Sequence, residues 1–245
     1  MKVAFLGATK GMGRALARLM AARGDRLVLL GRDANDLDRS ARDLEIFGAV
    51  RPVGTVFCDL LRPESFGPAL DQAAVALGGI ETVVVTAGVI APQDDLERDA
   101  KGRMDLLMAD FVNTIEFCEQ ARARLLANGG GTLCVFSSVA GERGRKPVVL
   151  YGAAKAGLTR YLEALDHKFR AQGLRTVCVK PGFVKTSMTD GLPAPPFAGE
   201  AEDVARRVLR AIDRGEPVVY APGIWRWIML VIRCLPRFVM RKIGF

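Results

Sequence analysis

A single histidine in 245 residues removes a large part of enzyme chemistry at once. A Ser-His-Asp triad or a histidine-ligated metal would have to use His167, which follows Asp166 in a charged helical run and reads as a solvated surface residue. The five cysteines are scattered without a C-x-x-C pair, and no metal-ligand cluster is evident. Cys58, Cys134 and Cys178 lie in apolar, strand-like runs, the pattern of buried free thiols in a reducing compartment. The N-terminal MKVAFLGA enters an apolar strand at once, without a signal h-region, so a cytoplasmic address is expected. Internal repeats are also missing.

What is present fits one α/β domain large enough for a substantial core: half the residues are apolar and a quarter charged. Lys and Arg total 35 against 27 Asp and Glu, a formal charge of +8. That balance favours an anionic partner: nucleic acid, anionic lipid or a phosphorylated small molecule. No nucleic-acid recognition motif accompanies the charge, so nucleic acid is set aside. Short apolar runs at 3–7, 26–31, 53–59, 81–88, 131–138 and 175–182 alternate with amphipathic helical patterns. The first helix is expected from about Met12 to Arg23 and the second through Leu44. Continuously apolar strands alternating with helices predict a doubly wound parallel sheet of about seven strands, with helices on both faces. Ligands in such a sheet bind beyond the carboxyl ends of the strands. A catalytic domain over 1–221 is expected, followed by a basic amphipathic tail over 222–245.

The first strand runs into Gly7-Ala8-Thr9-Lys10-Gly11-Met12-Gly13 and then a helix. Glycines at such a turn let the backbone approach a pyrophosphate, which the free N–H groups of the helix N-terminus then hold. This stretch resembles the T-G-x-x-x-G-x-G of the short-chain dehydrogenase/reductases, with Leu6 in place of the first threonine. The family's adenine-side aspartate matches Asp59, followed by Leu60, and its N-A-G matches Thr86-Ala87-Gly88. In that family the two departing side chains tie strands together, so Leu6 and Thr86 predict loss of the tie but not of the chemistry. The second strand ends in Gly31-Arg32-Asp33, where an NAD enzyme of this architecture carries an acid. Arg32 is a planar cation suited to a phosphate, and Lys10 in the glycine turn adds a second charge. NADPH is therefore the expected cofactor, with NADH the alternative. Asp33 stands against it, and Arg32 is otherwise a solvated turn residue.

Tyr151 and Lys155 are four apart on one helical face, and Ser138 lies at the end of the fifth strand. A neighbouring ammonium is expected to lower the phenol's pKa of about 10 toward a useful range. Ser138 would then polarise a carbonyl, Tyr151 would protonate its oxygen and Lys155 would tune Tyr151. The family resemblance implies the same roles and adds Asn113, in DFVNTIEFCEQA, as the holder of a relay water. Pro181-Gly182-Phe183-Val184-Lys185-Thr186 resembles the family's P-G-x-V-x-T, implying that Pro181, Gly182, Val184 and Thr186 line the nicotinamide. The resemblance spans roughly 2–190 and implies a homodimer or homotetramer. Pro/Gly-rich Ser187–Gly199 follows, expected as a substrate lid over about 187–203 or else a passive connection.

The tail APGIWRWIMLVIRCLPRFVMRKIGF has a charge-free core, Trp227 to Ile232, far short of the roughly 20 apolar residues of a spanning helix. Arg226, Arg233, Arg237 and Arg241 form one stripe on an ideal helix, which Pro236 is placed to kink or split. With Trp225 and Trp227, the stripe suits a helix in a membrane interface; the alternative is packing on the protein body or a second subunit. A narrower resemblance, through this tail, the Ala140–Arg145 run and the Tyr151 helix, is to decaprenylphosphoryl-2-keto-ribose reductases. It implies a lipid-linked keto sugar, with Arg143, Arg145 and Lys146 near its phosphate, or else a solvated basic loop. The rival expectations are a soluble reductase of 3-ketoacyl, steroid or small carbonyl substrates, and an NADPH-binding sensor without turnover.

Overall fold

The computed structural model describes residues 1–187, 189, 191, 194–195 and 197–243. Its first half alternates strand and helix: β1 (Lys2–Leu6), α1 (Gly11–Ala22), β2 (Arg26–Gly31), α2 (Ala34–Ile46), β3 (Gly54–Phe57), α3 (Phe66–Leu77) and β4 (Thr82–Val85). Two short helices, α4 (Gln93–Arg98) and α5 (Ala100–Leu107), lead through one wide π turn, Met108–Val112, into α6 (Asn113–Ala127). Then follow β5 (Gly131–Phe136), α7 (Val149–Phe169), β6 (Leu174–Pro181), the two-residue strands β7 (Val184–Lys185) and β8 (Gly199–Glu200), α8 (Ala201–Arg214) and β9 (Val218–Ala221). The tail forms α9 (Trp225–Cys234) and α10 (Arg237–Met240).

Seven parallel strands form one sheet in the order β3-β2-β1-β4-β5-β6-β9. The chain leaves β1 toward β2 on one side and β4 on the other, so the crevice between β1 and β4 opens where the winding reverses. α1, α2 and α8 close one face of the sheet, and α3, α6 and α7 the other. β1 and β4 are almost wholly apolar because both of their faces are covered. α8 shows the complementary pattern: Val204, Ala205, Val208, Ala211 and Ile212 make one buried stripe on an otherwise charged helix.

All six strands read from the sequence form. β3 differs in kind: as an edge strand it is half-buried and exposed in alternation. The seventh, β9, was not among those six; it is four residues long and Val218 at its start is exposed, so little apolar run marks it. Cys58, Cys134 and Cys178 are buried free thiols as expected, and His167 is exposed.

The π turn packs its Phe111 ring against α7 at Gly157, where a Cβ would come within 2.4 Å of the ring. This close approach brings the turn's backbone onto the helix that carries Tyr151 and Lys155. Pro236 splits the tail helix, so the expected single arginine stripe is divided between α9 and α10. Trp225, Met229 and Ile232 of α9 bury against Val139, Phe183 and Tyr220.

The opposite layer rests on Phe66 and Phe117, both fully buried, whose rings meet edge-on with centroids 5.5 Å apart. Phe117→Ala is expected to cost about 3–5 kcal/mol of unfolding free energy, read from urea denaturation at unchanged slope.

Candidate active site

Gly7 has φ +98° and lies so close to β4 that a Cβ would sit 2.5 Å from the Ala87 nitrogen; one on Gly13 would sit 2.2 Å from the Gly7 carbonyl. The turn is therefore as flat as a glycine backbone permits. Lys10, in the cap position of α1, makes no side-chain hydrogen bond to the helix's first N–H groups among the described residues. The turn before the helix borders a cleft of about 600 Å³ lined also by Thr9, Lys10, Arg32, Asp59, Leu60, Ala87 and Gly88. A flat glycine turn, open helix donors and a cleft of this size fit a dinucleotide. Thr186 stands across the turn, 3.3 Å from where a Cβ of Gly11 would be. Gly182 donates to the Ala221 carbonyl and Val184 is buried in β7, so the Pro181–Thr186 segment is fixed beside the same cleft.

The tie expected to be lost is present. The Thr86 hydroxyl donates to the Gly7 carbonyl at 2.8 Å, so threonine serves to hold β4 to the glycine turn. Asp33 serves the fold as well, because its carboxylate accepts the Asp36 N–H at 2.9 Å and caps α2. Lys10 differs from expectation. It pairs with Asp36 at 3.1 Å, and Lys10 with Arg39 holds the Asp36 carboxyl below the usual carboxylate range. Arg32 is exposed and forms no ion pair among the described residues.

At the carboxyl ends of β4 and β5 stand Ser138, Tyr151 and Lys155. Ser138 accepts the Ala140 N–H at 3.0 Å, and its hydroxyl acts on the Tyr151 phenol in the direction that lowers it. The Lys155 ammonium is 5.5 Å from the centre of the Tyr151 ring. The three groups thus converge as their spacing predicts.

Two expectations are corrected here. The first is Asn113. Its amide donates to the Leu60 carbonyl at 2.6 Å, on the cleft wall, where it anchors the loop carrying Asp59 and Leu60. The side chain that faces Lys155 from this helix is Asp110, whose Oδ2 is 3.6 Å from Nζ. Asp110 Oδ1 accepts the Val89 N–H at 2.7 Å. The wide π turn at 108–112 separates the directions of two residues that a regular helix would place on neighbouring faces. The second correction is the direction of the Tyr151 shift. Burial raises the phenol above its ordinary value; Lys155 and Ser138 lower it and Asp110 raises it, but the net direction is up. Lys155 is raised as well: burial disfavours its charge, but Asp110 and Tyr151 outweigh that.

The basic run is corrected too. Arg143 donates to the Leu235 carbonyl at 2.7 Å, at the end of α9, and Lys146 to the Arg241 carbonyl at 2.7 Å, at the end of α10. Both cations are placed at helix C-termini, where the backbone presents unpaired carbonyls. Arg145 lies half-buried between them, and burial lowers its guanidinium. Arg143 and Lys146 thus fasten the tail to the loop after β5 and do not project as a free phosphate clamp.

A cluster that escaped sequence reasoning reinforces that attachment. Glu142 bonds Lys180 at 2.5 Å, Tyr220 at 3.1 Å and Arg233 at 3.2 Å. Burial alone would raise the Glu142 carboxyl, but these partners hold it below its ordinary value. Burial pushes the Cys58 thiol up to about 12 and Cys178 to about 11, so neither is a nucleophile at neutral pH.

Residues 2–195 match the short chain dehydrogenase family. The chain belongs to that family. It is 34% identical over 240 residues to an uncharacterized oxidoreductase of Mycobacterium tuberculosis, covering 98% of this chain and 96% of the relative. It is 30% identical over 218 residues to cis-4-hydroxycyclohexanecarboxylate dehydrogenase of Sinomonas cyclohexanicum, covering 88% and 84% of the two chains. A short-chain type dehydrogenase/reductase from Mycobacterium ulcerans superposes with a TM-score of 0.81 at 20% identity, over 89% and 86% of the two chains, and shows the shared fold. This short-chain dehydrogenase is an NAD(P)-dependent oxidoreductase.

Tyr151→Phe removes one oxygen and no packing volume. It is expected to lower ketone-dependent NAD(P)H oxidation by at least about 100-fold, the low end of acid–base contributions, while fluorescence-monitored cofactor binding changes less than about threefold.

Proposed function

We propose that the protein is an NADPH-dependent ketone reductase that works at the cytoplasmic membrane surface on an amphiphilic substrate, such as a keto sugar carried on a polyprenyl phosphate. The observation behind the substrate class is the outer face of the tail. α9 turns Trp225, Met229 and Ile232 inward, while Trp227, Leu230, Val231 and Phe238 stand exposed. Arg226, Arg233 and Arg237 flank that apolar face. An apolar strip edged with arginine suits a surface of anionic headgroups over acyl chains. Among the described residues no helix is long and apolar enough to cross a membrane, so any contact would be interfacial.

In this reading the substrate carbonyl lies beside Ser138 and Tyr151. Ser138 donates a hydrogen bond to the carbonyl oxygen, Tyr151 gives that oxygen its phenolic proton, and Lys155 balances the charge left on the phenolate. A nicotinamide cofactor, when bound, supplies the hydride. The glycine turn and the first N–H groups of α1 would hold its pyrophosphate, and Asp59, Leu60, Ala87 and Gly88 would line its adenosine side. NADPH is favoured because Arg32 ends β2 without an acidic partner among the described residues, while the acid next to it is engaged in capping α2.

The substrate lid remains part of this proposal. Its ends are pinned where β7 and β8 pair, Val184 opposite Gly199, and Phe197 rests edge-on against Trp225 with centroids 5.5 Å apart. Met188, Asp190, Leu192, Pro193 and Pro196 of that segment lie outside the described residues. The pinning of both ends, one of them against the tail, is what supports the lid reading.

A second reading rests on the same tail face: the exposed strip joins two copies, and the substrate is a small soluble ketone. Flotation with anionic liposomes and gel filtration separate the two. Trp227→Ser with Leu230→Ser keeps the inward residues and is expected to abolish flotation while leaving the elution volume unchanged. A change of elution volume with no loss of flotation would favour the second reading. For the cofactor, Arg32→Asp is expected to weaken NADPH binding by about 10- to 150-fold, the worth of a charge-assisted contact, and NADH binding far less. Equal losses for both would remove the phosphate contact.

A further inference from the structure

A fully buried carboxylate next to a catalytic lysine is costly, and Asp110 is wholly shut off from solvent. Three features hold it there. The π turn at 108–112 carries its backbone toward the site. The Val89 N–H occupies Oδ1 at 2.7 Å. Gly88 leaves room for it: a Cβ there would stand 3.0 Å from Oδ1 and 3.4 Å from the Lys155 ammonium. Among the described residues Oδ2 has no hydrogen-bond partner, and it faces the Lys155 ammonium 3.6 Å away. No other acid among the described residues pairs with Lys155.

We infer that Asp110 is a positioning residue that draws the Lys155 ammonium away from Tyr151 and so keeps the phenol protonated, biasing the site toward carbonyl reduction. The inference rests on the reading of Tyr151 as the proton donor. In reduction the phenol O–H bond breaks as the carbonyl oxygen gains the proton, and the hydride goes to the carbonyl carbon. The reverse reaction needs the phenolate to take that proton back. A lysine that faces only the phenol favours the phenolate. A lysine shared with a carboxylate favours it less, because the charge on Lys155 is already balanced.

The groups facing this pair are few. Tyr151 meets Lys155, the Ser138 hydroxyl and, farther off, Asp110. Lys155 meets Asp110, Tyr151, the Phe136 carbonyl at 3.4 Å and, at longer range, the neutral Cys178 thiol. The upward directions of Tyr151 and Lys155 agree with this arrangement. For Asp110 itself, burial raises the carboxyl and Lys155 opposes that rise. Since the donor form exists below the phenol's pKa, raising that pKa extends reduction to higher pH and confines oxidation to still higher pH.

Asp110→Asn tests this with little change of shape, since the amide oxygen can still accept from Val89. The chain has only three tyrosines, so ring-labelled tyrosine gives three resonances, and Tyr151→Phe identifies the one that matters. Titrated in the protein without substrate or turnover, the Tyr151 signal of Asp110→Asn is expected to move to lower pH than that of the unsubstituted protein. Each unit of that movement multiplies the phenolate fraction at a given pH about tenfold below the midpoint. The pH profile of kcat/KM for reduction should then fall off earlier, and the ratio of oxidation to reduction at one pH should rise. A purely structural role would lower stability and rate at every pH without moving either midpoint. An unchanged or raised Tyr151 titration in Asp110→Asn would overturn the inference. If that variant does not fold, the unsubstituted protein decides: a Tyr151 midpoint at or below that of free tyrosine would overturn it equally. Because this titration needs no turnover, a failure of the proposed substrate or cofactor leaves its outcome untouched.

Discussion

Everything at the carboxyl end of the sheet is arranged around one buried ammonium. Lys155 is almost completely enclosed, and an ion in that position is tolerated only with a partner close by. Its partners set the local architecture. A carboxylate must reach it from α6's side of the fold, which requires a wide turn in an otherwise regular helix. That turn must lie against α7, which requires Gly157, and the carboxylate must pass β4, which requires Gly88. The phenol one helical turn before Lys155 then inherits an environment shaped by the carboxylate as well as the ammonium. The charge pair and the backbone irregularity are two aspects of one solution.

The fold was largely legible because it follows from patterns that chemistry enforces locally. Six strands announced themselves as apolar runs between amphipathic helices, and a parallel sheet covered on both faces admits little else. β9 was not legible because four residues at the sheet's edge, the first of them exposed, carry almost no periodic signal. Tyr151 and Lys155 were legible because an i, i+4 pair on a helix is fixed by the helix itself, and Ser138 because it follows directly on the apolar run of β5. Asn113 was misplaced for the converse reason. Its role rests on a motif match, which fixes a position in the chain but not a side-chain direction, and the π turn just before it alters that direction. Asp110, three residues earlier, had no sequence signal of its own, since an aspartate is expected at the surface unless something holds it inside.

The charge at the second strand's end shows how local bonding redistributes roles among neighbours. Arg32 and Asp33 look contradictory in a cofactor site when read as adjacent charges. Once Asp33 caps α2 and Asp36 takes Lys10, the acid is spent on the helix and one cation on another acid. Arg32 remains exposed, without an ion pair among the described residues. No spacing rule separates these outcomes; the hydrogen bonds do.

The loop between β5 and α7 links the chemistry to the surface. Within it, Ser138 stands beside Tyr151, while Glu142, Arg143 and Lys146 hold the tail. Their targets are backbone carbonyls and a buried ion cluster, and neither leaves a recognisable spacing in the sequence. The consequence is mechanical. Glu142 gathers Lys180 from β6, Tyr220 from β9 and Arg233 from α9 onto one carboxylate four residues after Ser138. A force that shifted α9 would act on Glu142 and Arg143 directly, and through this short loop on the hydroxyl beside Tyr151. The tail is thus built into the wall that carries Ser138, one packed layer from the Ser138, Tyr151 and Lys155 cluster.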